Sequence, residues 1–223
     1  MDGFFCSIYD GFNGRDAADF LASTLYENIR LYLNMLDSQM KHRTIMFLNN
    51  SDLDGSLQYF LDDNSVHEKV SYVASRFSDM EDAHLQEEEP SFDSYRRGVL
   101  CCLQQALAQA ESDFLHMVEQ EMDSCPDLVS IGSCVLVVLL HGQDLFTLSL
   151  GDSRALLATT EGVDVNEDLM DIQLTDCHSV DNETERMRIL SDHPDDPQTI
   201  VAGKVKGKLK LTRAFGVGYL KKV

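Results

Sequence analysis

Apolar residues crowd Phe4–Tyr9 and stop at Asp10, with Gly11 and Gly14 close behind. The pattern predicts a buried strand, a glycine turn and then a helix from about Arg15. Ala17, Phe20, Leu21, Leu25, Ile29, Tyr32 and Leu36 follow helical spacing, and the helix is expected to end before "DSQMKHR". Thr44–Leu48 reads as a short strand. A second helix is signalled by Ser91 as N-cap and by Tyr95, Val99, Leu103, Leu107, Phe114, Met117 and Val118, and it ends before Cys125-Pro126. The period then shortens. Strands are expected over Cys134–Leu140, Leu145–Leu150, Ala155–Ala158 and Asp171–Leu174, with "HGQD" and "GDS" as hairpin turns. Asp181–Leu190 reads as a short helix capped by Ser179 or Asp181, and Gly203–Thr212 as a basic strand or ribbon. Helices on one face of an antiparallel sheet make an α+β fold, not an alternating parallel one.

The bulk numbers narrow the classes. An apolar fraction of 43% over 223 residues is enough for a core. No stretch is long and apolar enough for a membrane span. "MDGFFCS" has no basic signal-peptide start, and the six cysteines contain no C-x-x-C. A reducing, intracellular setting, cytoplasmic or nuclear, is therefore expected. The net charge of −20 disfavours nucleic acid and anionic lipid as partners. Acid is concentrated from Asp52 to Glu89, where only Lys69 and Arg76 oppose it, and residues 43–90 read as an acidic insertion or loop. The tail from Gly203 is basic: Lys204, Lys206, Lys208, Lys210, Arg213, Lys221 and Lys222, with no acid.

Three segments carry candidate chemistry. Asp10-Gly11 offers a carboxylate and a closely approachable carbonyl at a strand end, which a hard divalent cation would accept. For this segment taken alone, a helix cap or a tight turn is the preferred reading. "GDSRAL" (Gly151–Leu156) is ordinary turn chemistry except for Arg154, a charge that an adjacent carboxylate would explain. "KLKLTRAFG" (Lys208–Gly216) alternates like an edge strand until Thr212-Arg213.

Taken in order, Y-D-G-x-x-G, the helix, G-S-C-V-L-V-V-L, L-G-D-S-R-A, L-T-D, E…R-M and K-G-K-L-K-L-T-R-A-F-G resemble the metal-dependent serine/threonine protein phosphatases of type 2C, the plant branch most of all. The resemblance covers Phe4–Leu36 and Leu128–Lys222. It implies a four-layer αββα sandwich of two antiparallel sheets flanked by helices, present here incompletely, with residues 1–223 as a partial phosphatase domain. It implies hydrolysis of phosphoserine and phosphothreonine in proteins by water activated at a site of two or more Mg²⁺ or Mn²⁺ ions. By resemblance Asp10 bridges the ions, the Gly11 carbonyl ligates one, and Asp152 serves a further, looser metal position. Arg213 is expected to be structural.

The chain departs from the pattern at Phe12, where the family commonly has a histidine that is a candidate proton donor, and at Val217, where it has an aspartate. Without that histidine, water or another acid protonates the leaving oxygen. The family's early "E-D" element and arginine, and its later "SDG" and "DN" aspartates, have no counterpart in this sequence. The chain thus reads as a fragment with one primary metal carboxylate, of low stability and weak or no activity by itself. The alternative is a catalytically deficient fragment or pseudophosphatase acting as an interaction module. Expected partners are a phosphoprotein substrate and a kinase or receptor, and the expected state is monomeric. A rival reading takes Asp52 and Asp54 in "NNSDLDGSL" as a haloacid-dehalogenase-type nucleophile and acid/base, or as a calcium loop with Leu61 where the glutamate belongs. Its preceding "NNS" breaks the strand such a site needs, so an acidic turn is preferred. A cysteine phosphatase is excluded, because no cysteine is followed by arginine six residues on.

Overall fold

The computed structural model describes residues 3–50, 92–160 and 169–221. They fall into two compact units, Met1–Tyr32 with Leu100–Val223, and Leu33–Val99.

The first unit is organised by β2 (Gly132–His141), a run of β-branched and leucine residues that suits a strand paired on both sides. On one side it pairs antiparallel with β1 (Gly3–Phe12), from Gly3↔His141 to Phe12↔Gly132. On the other it pairs with β3 (Asp144–Leu150), and beyond the end of β3 with β8 (Phe215–Gly216), through Gly132↔Gly216 and Ser133↔Phe215.

Residues directly opposite share a face. Phe5, Ser7 and Tyr9 thus lie with Leu139, Val137 and Val135, and these with Phe146, Leu148 and Leu150. This is the helix side, because Phe5 meets Tyr26 of α1 (Asp16–Asn50) edge to face at 5.0 Å. Ala17, Leu21, Leu25 and Ile29 form the buried stripe of α1. Cys102, Leu103, Ala106, Ala110, Phe114 and Val118 form that of α2 (Phe92–Glu121). Phe20 of α1, Phe114 of α2 and Phe215 of β8 close a three-ring cluster with centroids 5.4, 6.3 and 5.1 Å apart. Both helices are thereby tied to the β8 end of the sheet.

The opposite face carries Phe4, Cys6, Ile8 and Asp10 of β1 beside Leu140, Val138, Leu136 and Cys134 of β2. Its outer part is open: Phe4, Ile8, Leu140 and Leu145 are all exposed. A second antiparallel ladder joins β4 (Leu156–Thr160) to β5 (Leu169–Gln173), and a small hairpin joins β6 (Ile200–Val201) to β7 (Lys204–Val205). α3 (Glu183–Asp192) lies between them in sequence. The architecture is α+β with antiparallel sheets, the expected sandwich in incomplete form. No described helix is long and apolar enough to cross a membrane.

In the second unit Tyr95 donates its hydroxyl proton to Asp37 at 2.8 Å. A side chain at Gly98 would collide with Leu36.

Several expectations are corrected. β1 is a sheet edge, so it is half exposed rather than buried. α1 does not stop before "DSQMKHR" and Thr44–Leu48 is not a strand; the helix runs to Asn50. The "GDS" turn does not return the chain against β3. It carries it out of the first sheet to a separate ladder, so the meander ends at Leu150. α3 is capped by Asn182, whose side chain accepts from the Thr184 N–H, not by Ser179 or Asp181. The basic ribbon shrinks to Lys204–Val205 and two isolated bridges. Ser91, the haloacid-dehalogenase-like Asp52 and Asp54, and all of the acidic insertion after Asn50 lie outside the described residues.

Phe114 is fully buried and touches both other rings. Phe114→Ala is expected to destabilise the chain by about 3–5 kcal/mol, read as a fall in the urea midpoint at unchanged slope.

Candidate metal centre

Asp10 sits where β1 leaves its last ladder residues, opposite Cys134 in β2. The turn beyond is held by Asn13, whose left-handed backbone (φ 62) suits asparagine and whose amide donates to the Ser130 carbonyl at 2.9 Å. On the other side of Cys134, the β2–β3 ladder ends at Val135↔Leu150, and Gly151-Asp152 follow. The Cys134 thiol donates to Asp152 Oδ1 at 3.4 Å. Asp10 and Asp152 are both exposed, whereas Cys134 is 2% exposed. The result is a buried thiol flanked by two solvent-facing carboxylates.

Burial pushes the Cys134 thiol up to about 11. A backbone hydrogen bond from Asp152 opposes this, while the side-chain hydrogen bond to Asp152 and the charges of Asp152 and Asp10 add to it. The thiol therefore stays protonated and acts as a donor. Gly151 is required at its position: φ is +98, and a Cβ there would lie 2.4 Å from the Cys134 sulfur. The Gly151 carbonyl accepts the His178 N–H at 2.8 Å, which pins the turn from the far side.

Behind the carboxylates is an apolar cluster of Cys134, Leu211, Ala214 and Val217, with Phe12 and Tyr219 packed against it. Phe12 lies over Gly132, where any Cβ would strike the ring at 2.6 Å. The two positions at which the chain departs from the phosphatase pattern, Phe12 and Val217, thus belong to one cluster. Val217 is buried with φ 57 and ψ 47, a left-handed conformation costly for a β-branched residue. Its burial and the hydrogen bond from its N–H to the Ile131 carbonyl (2.8 Å) offset the strain.

The segment that supplies Leu211–Val217 is anchored by Glu185 of α3. This carboxylate is 5% exposed and accepts from Arg213 twice (3.0 and 2.6 Å), Thr212 (2.7 Å) and Arg188 (3.1 Å). Burial raises its pKa, but these hydrogen bonds prevail and hold it at about 2. Arg213 is structural, as expected. A second clamp joins Lys221 to Glu111 and to the Ala214 carbonyl, each at 2.6 Å.

Asp10 and Asp152 thus come together around Cys134, with Gly11 next to Asp10. Arg154 does not gain the carboxylate expected for it: it is exposed, with no ion pair among the described residues. Sequence reading missed Cys134 and Glu185. A cysteine in an apolar run looks like core, and a glutamate in a polar helix looks like surface. Carboxylate and carbonyl oxygens of the kind Asp10, Gly11 and Asp152 carry are what a hard cation such as Mg²⁺ or Mn²⁺ takes, and these three would fill only part of its shell. Among the described residues no three His, Cys, Asp or Glu side chains group closely enough to hold a metal ion.

The family model for protein phosphatase 2C matches residues 62–223. A probable protein phosphatase 2C (number 40) of Arabidopsis thaliana is 55% identical over 98% of this chain and 38% of its own length. A rice relative from Oryza sativa subsp. japonica, probable protein phosphatase 2C 39, is 52% identical over 97% of this chain and 38% of its length. The solved structure of a C. elegans sex determining protein shares the fold with a TM-score of 0.51 at 16% identity, covering 99% of this chain and 37% of that one. The chain therefore spans well under half the length of the curated relatives it matches.

Acid should unfold this region in two stages. Burial, then the nearby Arg213 charge, lowers the His178 pKa, and its buried Nδ1 has no hydrogen-bond partner among the described residues. Stability is full above the ordinary value of 6.5 and falls as pH drops below it. Glu185 adds a second loss between its ordinary 4.5 and about 2. Glu185→Gln is expected to cost on the order of 2–3 kcal/mol at neutral pH and to flatten the lower stage in urea titrations across pH. An unchanged slope below pH 4.5 would remove Glu185 from this role.

Proposed function

The chain belongs to the protein phosphatase 2C family, and on that premise we propose that the protein removes phosphate from phosphoserine and phosphothreonine in other proteins, using water activated at a Mg²⁺ or Mn²⁺ centre. The supporting observation is that Cys134, opposite Asp10 in the β1–β2 ladder, also hydrogen-bonds Asp152. Asp10 and the Gly11 carbonyl would take a cation at the end of β1, and Asp152 a further one at the turn after β3. A cation held there lowers the pKa of water and offsets charge on the phosphate.

The chain's own residues divide the remaining work. The β1–β2 ladder holds Asp10 at a strand end. The cluster of Phe12, Leu211, Ala214 and Val217 excludes water from behind the carboxylates. Phe12 has no proton to give, and the Cys134 thiol is buried, so the leaving oxygen takes its proton from water or from an acid outside this group. We assign the protein an intracellular location, cytoplasmic or nuclear, and a monomeric state, with a kinase or receptor as a possible protein partner.

Two carboxylates hold a hard cation weakly, so the 223 residues by themselves should show low activity. This supports a second reading, an interaction module without turnover. The deciding assay is phosphate release from a phosphothreonine peptide with Mn²⁺, with and without EDTA. Phosphatase action predicts release that needs Mn²⁺ and falls about 100-fold or more in Asp10→Ala. Release indifferent to Mn²⁺ or to Asp10→Ala refutes the metal mechanism, and Mn²⁺ binding without release favours the module.

A further inference from the structure

The structure leaves one question at the metal centre: what holds Asp152. The β2–β3 ladder stops two residues before it, so no ladder hydrogen bond orients its carboxylate. Asp152 is exposed, and an exposed carboxylate on a turn samples several rotamers unless a neighbour restrains it. The neighbour is the Cys134 thiol, at 3.4 Å from Oδ1. That thiol is itself immobile. It is buried in the apolar cluster, Gly151 passes against it with no room for a Cβ, and β2 fixes its backbone opposite Asp10. The side chain that shares a face with Asp10 is thus the one that grips Asp152.

We propose that Cys134 is the positioning residue of the candidate metal centre. Its S–H donates to one oxygen of Asp152 and leaves the other free for a cation. Outer hydrogen bonds of this kind orient ligating carboxylates, and their loss commonly costs 10–100-fold in metal affinity. A thiol is a weak donor, which points to the lower end of that range. The inference rests on the metal reading of Asp10 and Asp152 given above.

The test measures Mn²⁺ binding by loss of the aquo-ion electron paramagnetic resonance signal, so it needs no turnover. Cys134→Val keeps apolar character and strand preference but removes the donor. Cys134→Ser keeps a donor. Cys134→Ala serves if valine disturbs folding, checked by thermal unfolding without metal. We expect Cys134→Val to weaken Mn²⁺ binding about 10-fold and Cys134→Ser to stay within about twofold of wild type. In an Asp152→Ala background, Cys134→Val should have no further effect. Wild-type binding by Cys134→Val overturns the inference. So does equal weakening by serine and valine, which marks a packing effect, or weakening that persists without Asp152. Asp10→Ala and Asp152→Ala separate the two levels. If neither weakens binding, the metal reading fails and takes this inference with it. If both do while Cys134→Val does not, only the role of the thiol fails.

Discussion

The pairing of β1 with β2 is the constraint on which the rest depends. It runs from Gly3↔His141 to Phe12↔Gly132 and sets Asp10 against Cys134. A slip of one residue would turn Asp10 onto the helix side and bring Tyr9 and Phe5 out to the other face. What prevents the slip is side-chain packing. Phe5 is engaged by Tyr26, and Phe12 fills the space that Gly132 leaves open. The carboxylate at position 10 therefore owes its orientation to aromatic contacts at both ends of its strand.

The other side of the centre is built by long-range closure. Residues 211–217 reach Cys134 only because Glu185 on α3 gathers Arg213, Thr212 and Arg188, and because Lys221 returns to Glu111 on α2. A buried carboxylate with four hydrogen bonds is a strong local anchor when complete and a strong liability when one partner is removed. This arrangement tolerates a strained Val217, since the anchors on either side determine its backbone.

The proposed centre would offer two carboxylates and a glycine carbonyl, less than a hard cation needs for a full shell. The face that carries them continues into exposed Phe4, Ile8, Leu140 and Leu145. Both features suit a partial sandwich, in which one sheet has helices on one side and open apolar surface on the other.

Periodicity determined the two long helices, β2 and β3, because burial on one side leaves a repeat of 3.6 or 2 in the chain itself. Motif order assigned Asp10, Gly11 and Asp152 to one site; the fold sets Cys134 opposite Asp10 and hydrogen-bonds it to Asp152. Where α1 stops was not legible, since polar residues such as Lys41 and His42 are compatible with an exposed helix as well as with a loop. Nor was the exit at Gly151-Asp152, because "GDS" is equally good chemistry for a hairpin and for a departure from the sheet. The roles of Cys134 and Glu185 were invisible for a stronger reason. A thiol between two carboxylates and a buried acid gripped by Arg213 and Thr212 depend on contacts at least 18 residues away in the chain. Local pattern holds no record of such contacts; packing alone decides them.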